Sequence, residues 1–288
     1  MDMRNSIRIK SVLALAVFCG LTQSLFAGGG WTYEKGKGYF KLGQSFLQSD
    51  QFFNPDGEII DIRTTGYYAT SFYGEYGLTD RLTAVAYVPF FTRNTLNKVR
   101  FRMSGREEPG DELNSVGDID LSLKYGLVKS DKWVLAASVL FGLPVGETAG
   151  GETGILQSGD GEFNQMVRVD LSRPFASKSW FNVYAAFNNR TNDFSDEYRL
   201  GGEVGTRIGS SFYVIGKIDL VQSLMNGTAD PSMSGTLFSN NTEYLSPSLE
   251  LAYELKSGFG LNASAAGAFY GRNILAAPNY SVGVFYNL

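Results

Sequence analysis

Apolar side chains occupy every second position through the last stretch of the chain: Tyr280, Val282, Val284, Tyr286 and Leu288. Ser281, Gly283 and Asn287 fill the positions between, and Phe285 is the one exception. Strict alternation gives a β-strand one apolar and one polar face. The pattern recurs upstream. Ile119, Leu121, Leu123, Tyr125 and Leu127 alternate with Asp118, Asp120, Ser122 and Lys124. Phe163, Val167, Val169 and Leu171 oppose Asn164, Arg168, Asp170 and Ser172, and Leu200, Val204 and Ile208 oppose Arg199, Glu203 and Arg207.

This periodicity predicts about twelve strands, over 37–48, 64–77, 81–92, 117–128, 133–143, 163–173, 180–190, 198–209, 212–224, 243–255, 259–270 and 278–288. Each reaches the ~9–11 residues of a tilted membrane strand. The connections alternate in length. GLTD (77–80), KSD around 130, 174–179, 210–211 and 256–260 are short, whereas 49–63, 93–116, 144–162, 191–197, 225–242 and 271–277 are long. Short turns at one end and long loops at the other are the build of outer-membrane barrels, and a Greek-key sandwich gives no reason for that regularity. The expectation is an all-β fold, a closed antiparallel transmembrane β-barrel of about twelve strands with both termini on the short-turn side.

Aromatic residues sharpen the choice between a barrel and a soluble sandwich. Tyr76, Phe90, Phe91, Tyr125, Phe141, Phe175, Trp180, Phe187, Tyr253 and Phe269 fall near predicted strand ends. Strand propensity accounts for the abundance of Tyr and Phe; a girdle at headgroup depth accounts for their position.

The first residues read as an export signal. Arg4, Arg8 and Lys10 precede the apolar run Ser11 to Phe18, and Ser24, Leu25, Phe26 and Ala27 lead into three glycines. Residues 1–27 are expected to be a cleaved signal peptide and 28–288 the barrel. Cys19, the only cysteine, leaves with the leader, and bulky Phe18 before it argues against lipidation. Cleavage removes those three basic residues and Asp2, so the net charge moves from −4 to −6. An acidic chain does not suit nucleic acid. Mean hydropathy is −0.10, the averaged value that half-polar strands produce.

Composition also limits the chemistry. The chain has no histidine. Ser-His-Asp catalysis and His-ligated zinc or haem are therefore excluded, and no catalytic residue, metal or cofactor is expected. GDGE (159–162) and DGE (56–58) lack EF-hand spacing and read as exposed, glycine-turned loops.

The polar face of the strands carries charges of both signs: Lys41, Lys124, Arg168, Arg199, Arg207 and Lys217 with Glu75, Asp118, Asp120, Asp170, Glu203, Asp219, Glu250 and Glu254. An ion-selective pore would favour one sign. Interleaved signs point to an ion-paired interior that holds strand register and part-fills a narrow lumen. In the loop 93–116, Arg93, Lys98, Arg100, Arg102 and Arg106 precede Glu107, Glu108, Asp111 and Glu112. The basic half has two candidate partners, lipopolysaccharide phosphates or its own acidic half. Phe52, Phe53, Phe101 and Phe238 would give the long loops a low-polarity entrance.

Four segments resemble the outer-membrane transporter family named for the MetA pathway of phenol degradation: EYGLTDRLTAVAYVPF (75–90), VGDIDLSLKYGLV (116–128), FGLPVGETAG (141–150) and LQSGDGEFNQ (156–165). They lie in the family's order, and Leu288 departs from the usual terminal Phe of barrels. The resemblance implies a barrel for passive uptake of small hydrophobic or aromatic compounds and brings no catalytic residues. Expected partners are outer-membrane lipid and lipopolysaccharide, the barrel-assembly machinery and a small-molecule solute, with no nucleic acid. The alternative is a non-conducting structural or surface-interaction barrel.

Overall fold

The computed structural model describes residues 29–100, 102–228 and 237–288; the expected leader and Phe101 lie outside these. Twelve long strands form the wall: β1 (Gly38–Phe53), β2 (Ile59–Gly77), β3 (Leu82–Leu96), β4 (Ile119–Lys129), β5 (Val134–Leu143), β6 (Asn164–Ala176), β7 (Ser179–Arg190), β8 (Glu197–Ile208), β9 (Phe212–Ser223), β10 (Glu243–Glu254), β11 (Phe259–Ala266) and β12 (Asn279–Asn287). Each pairs antiparallel with the next, and β12 returns to β1 in a register running from Tyr39↔Asn287 to Leu47↔Asn279. Closure leaves no open edge along this wall, the condition for a sheet in hydrocarbon.

The outer face is the apolar parity of the sequence pattern. Leu121, Leu123, Tyr125, Val204, Val282 and Val284 are all exposed, with Val204 at 56 %. A belt of that kind would be a severe liability in water and matches lipid hydrocarbon. Most of the expected girdle residues also point outward, among them Tyr76, Phe90, Phe141, Phe175 and Tyr253. Trp180 does not. Its indole Nε1 donates to Glu203 at 3.0 Å, so this ring serves the lumen.

The first long loop is also absent. β1 and β2 run to 16 and 19 residues and close through a turn at Asn54–Glu58, where Asn54 Oδ1 accepts from the amides of Asp56 and Glu58 at 2.9 Å. Gly57, at φ +81°, takes the left-handed conformation this turn needs. Phe52 and Phe53 end β1 and are buried rather than placed at an open entrance.

Other long connections fold back over the wall. Asp111–Ser115 extends the pairing of β3. The loop's basic residues meet its acidic ones, through Arg93–Glu112, Lys98–Glu107 and Arg106–Glu108. Asp111 accepts from the amides of Glu152 and Thr153 at 2.9 Å and from the Thr153 hydroxyl. These donors, the hydroxyl first, hold its carboxyl down to about 2.

Candidate functional site

Side-chain alternation turns one polar residue in two toward the barrel axis, and cross-strand register then decides which charges meet. Lys124 on β4 lies opposite Thr83 of β3, and its chain reaches across that strand to Glu75 on β2. The ammonium stands 2.8 Å from Glu75 Oε2 and 3.2 Å from the Gly29 carbonyl. Tyr73 donates its hydroxyl to the other Glu75 oxygen at 2.7 Å. Both charged side chains are fully buried.

The chain ahead of β1 enters the lumen at the same level. The Gly30 amide donates to Ser172 Oγ at 2.8 Å and the Tyr33 amide to Thr83 Oγ1 at 3.0 Å. Gly29 adopts φ +57°, and a Cβ there would lie 2.7 Å from Asn182 Cγ. Beside it, Arg168 donates twice to Asp170 two residues along its own strand, at 2.8 and 2.7 Å. The guanidinium lies 3.6 Å from the centre of the Tyr184 ring. Asn182 donates to Asp170 at 3.1 Å.

Toward the short-turn end, Lys217 pairs with Glu250 across adjacent strands at 2.8 Å, and Asn262 donates to the same carboxylate at 2.9 Å. Lys41 is within electrostatic reach of this pair. Several acids here take neutral donors as well. Glu203 takes the Trp180 indole, Asp219 the Tyr184 hydroxyl, and Glu254 the Tyr213 hydroxyl at 2.7 Å and the Asn287 amide at 2.7 Å. Arg207 is exposed at the turn end of β8. Trp31, Tyr39, Trp180, Tyr213 and Phe285 line a cavity of about 500 Å³ together with Glu203, Arg207, Lys217, Glu250 and Glu254, within the ~300–1,000 Å³ usual for ligand pockets.

The long-loop half is built around a residue not anticipated from the sequence. Arg190, at the end of β7, donates to Glu162 at 2.6 Å, Asp160 at 2.9 Å and Glu197 at 3.0 Å. Arg199 donates through Nε and Nη2 to the remaining Glu197 oxygen, at 2.9 and 2.6 Å. Asp160 and Glu162 belong to GDGE, which is therefore turned inward rather than exposed. Arg190 shares the parity of Asn182, Tyr184, Ala186 and Asn188, so counting the alternation one pair further marks it as inward.

Asp118, just ahead of β4, accepts from the amides of Gly146 at 2.8 Å and Asp160 at 3.0 Å and so draws the loop 144–163 into the barrel mouth. Burial, with Asp160 nearby, pushes its carboxyl up to about 6. Burial likewise pushes Glu162 up to about 7 against the pull of Arg190. Asp120 faces the same space. A cavity of about 190 Å³ lies between Asp118, Asp120, Asp160, Arg190, Glu197 and Arg199 and the rings of Tyr67, Tyr87, Phe238 and Tyr244. Tyr67 and Phe238 meet edge to face, 6.1 Å between centres.

Part of the inner wall is apolar, which alternation of polar-in and apolar-out does not anticipate. Leu47, Phe52, Phe53, Val221 and Tyr244 form one buried cluster with Ala268 and Ile274–Ala277. The connection after β11 supplies the second half of this cluster. It pairs Tyr270–Arg272 with β10 and Ile274–Leu275 with β1.

No family model and no curated protein matches the sequence. Solved structures match the fold. The COG4313 outer membrane channel from Pseudomonas putida F1 superposes with a TM-score of 0.59 at 13% identity, over 91% of this chain and 99% of that one. The NanC porin superposes with a TM-score of 0.52 at 13% identity, over 86% of this chain and 100% of that one. At these identities the likeness establishes the outer-membrane type of closed barrel and nothing finer.

Proposed function

We propose that this chain is a passive outer-membrane channel for small hydrophobic or aromatic compounds. The observation that carries the reading is the combination of a lipid-matched outer belt with a lumen holding two ring-lined cavities. Aromatic and aliphatic lining lets a low-polarity solute shed its water without facing a dry wall of unpaired charge. The resemblance to the MetA-pathway family supports the same substrate class, and the structural likeness to outer membrane channels supports the location. A leader ending at Ala27, assembly by the barrel-assembly machinery, and contact with lipid and lipopolysaccharide belong to this proposal.

The charge network is proposed as the lumen's lining. It comprises Lys41, Glu75, Asp118, Asp120, Lys124, Arg168, Asp170, Arg199, Glu203, Arg207, Lys217, Asp219, Glu250 and Glu254. Its role is to hold register and to narrow the path, not to catalyse. A non-conducting barrel is the second reading, favoured by the fully buried Lys124–Glu75 pair at the level where the N-terminal segment crosses. Conductance of the purified barrel in planar bilayers, with and without aromatic solutes, separates the two. Discrete openings that aromatic solutes modulate are expected; a silent barrel would overturn the channel.

A further inference from the structure

One cation stands on the lipid side of the wall. The outward parity of β6 reads Val167, Val169, Leu171, Arg173 and Phe175, and the neighbouring β5 and β7 present no charge on that face. A charged side chain there destabilises a barrel more the deeper it lies, and is tolerated only near headgroup level. Arg173 is exposed and close to the end of β6 at the short turns, the periplasmic side in barrels of this type.

Aromatic rings mark the same depth. The Arg173 guanidinium stands 4.7 Å from the centre of the Trp133 ring. Trp133 meets Phe181, the residue opposite Arg173 in the ladder, edge to face at 6.0 Å, and Phe175 lies 6.4 Å from Phe181. Trp133 and Phe175 are both exposed, as rings at a membrane interface are. Among the described residues no carboxylate pairs with Arg173, and no acceptor meets the Trp133 indole N–H. The adjoining turns add Lys132 and Lys178, both exposed, against the one acid Asp131. Lys178 donates to the Gly209 carbonyl, which leaves its charge uncompensated.

These groups say what would complete them. A guanidinium fork fits two oxygens of a phosphate, and an indole N–H beside it offers another donor. The rings suit the level just below, where headgroup gives way to acyl chain. On a lipid-facing surface that phosphate is the phosphodiester of a phospholipid. The excess of positive charge favours a headgroup of net negative charge over a zwitterion, whose own cation repeats what the protein already supplies.

We propose that Arg173, Trp133 and Phe181 form a binding site for the headgroup of an anionic phospholipid in the periplasmic leaflet. This deepens the lipid contact of the proposed function and rests on its outer-membrane placement, not on conductance.

Trp133 is its own reporter, because Trp31 and Trp180 line the short-turn cavity inside the wall. The full barrel is reconstituted in vesicles of phosphatidylcholine and phosphatidylglycerol, with bromine on the acyl chains of one lipid at a time. Quenching of Trp133 then reports which lipid sits beside it, and Trp133→Phe supplies the background. Phosphatidylglycerol should be enriched about fivefold over its share, the scale of one basic residue at an anionic surface. Arg173→Gln should bring it down to its share, and Arg173→Lys, which keeps the charge, should retain most of the enrichment. Lys256→Gln, on a different short turn, should change nothing.

Equal quenching by the two lipids would overturn the proposal. So would an equal loss in Lys256→Gln, which would assign the effect to the whole rim, or reversal by inorganic phosphate at constant ionic strength, which would assign it to a free anion. Should Arg173→Gln not fold, the unaltered barrel, Arg173→Lys and Lys256→Gln decide. Absence of quenching by either lipid would sink the membrane placement together with the site. Enrichment of the anionic lipid around a barrel that proves silent in planar bilayers would sink the channel and leave the site.

Discussion

Lys124 and Glu75 sit on strands that are not neighbours, yet their charged ends meet at 2.8 Å with neither side chain accessible to water. Thr83 on the strand between them is small enough for the lysine to pass over, and the Gly29 carbonyl and Tyr73 hydroxyl complete the pair. Two wall segments and the N-terminal segment are joined at one point.

Breaking that pair should be expensive. Lys124→Met strands the Glu75 carboxylate out of water, at a cost of about 3–5 kcal/mol. The unfolding temperature in detergent should fall clearly, and conductance should rise or become noisy. Lys98→Met, which disturbs an exposed pair with Glu107 worth about 0–1 kcal/mol, should do neither. Equal behaviour of the two variants would mean that Lys124 is wet.

The N-terminal segment should narrow the path, and Gly29 is its weak point. A side chain at φ +57° costs about 1–2 kcal/mol, and here it would also collide with Asn182. Gly29→Val should undock the segment and increase single-channel conductance while leaving the melting temperature of the wall little changed. Unaltered conductance would show that the segment does not limit flow.

Outward facing can be mapped by chemistry. Cysteines at Leu121, Leu123, Val204, Val282 and Val284 should react with membrane-soluble maleimides and resist charged ones. Cysteines at Ser122 and Ser138, both buried, should do neither readily. Labelling of the first set by charged reagents alone would reverse the facing of the wall.

The loop 144–163 should dock more tightly in mild acid. Burial lifts Asp118 to about 6 and Glu162 to about 7, above the ordinary carboxylate range. A raised carboxyl binds its proton more firmly in the docked state than in the released one, so docking strengthens as pH falls through 7 toward 4 and weakens above it. Amide exchange of Gly146 and Asp160 should therefore be slower at pH 5 than at pH 8, after correction for the intrinsic rate. Faster exchange in acid would mean that the ionised acids hold the loop.

The wall was legible in the sequence because two-residue periodicity is local. Whether Val282 or Ser281 meets lipid follows from parity alone, once a closed sheet is assumed, and the same parity turned Glu75, Asp118, Lys124 and Arg168 inward. Twelve strands and their turn-side connections follow from the spacing of alternating runs. Local pattern could not supply partners. Lys124 finds Glu75 across an intervening strand, and the acids Glu203, Asp219 and Glu254 find an indole and phenols, because register and side-chain length select what lies within 3 Å. Nor could it foretell where the connections go. GDGE reads as a free turn until Arg190, which lies beyond it in sequence, is brought to its face by the register of the β6–β7 hairpin, where Arg190 pairs with Asn164. Phe52 and Phe53 read as loop aromatics until the segment after β11 returns to bury them. In the sequence the N-terminal glycines only follow the leader, and only the closed wall creates the narrow space in which Gly29 can meet Lys124. Periodicity determined which way each residue points; closure of the barrel decided what it meets there.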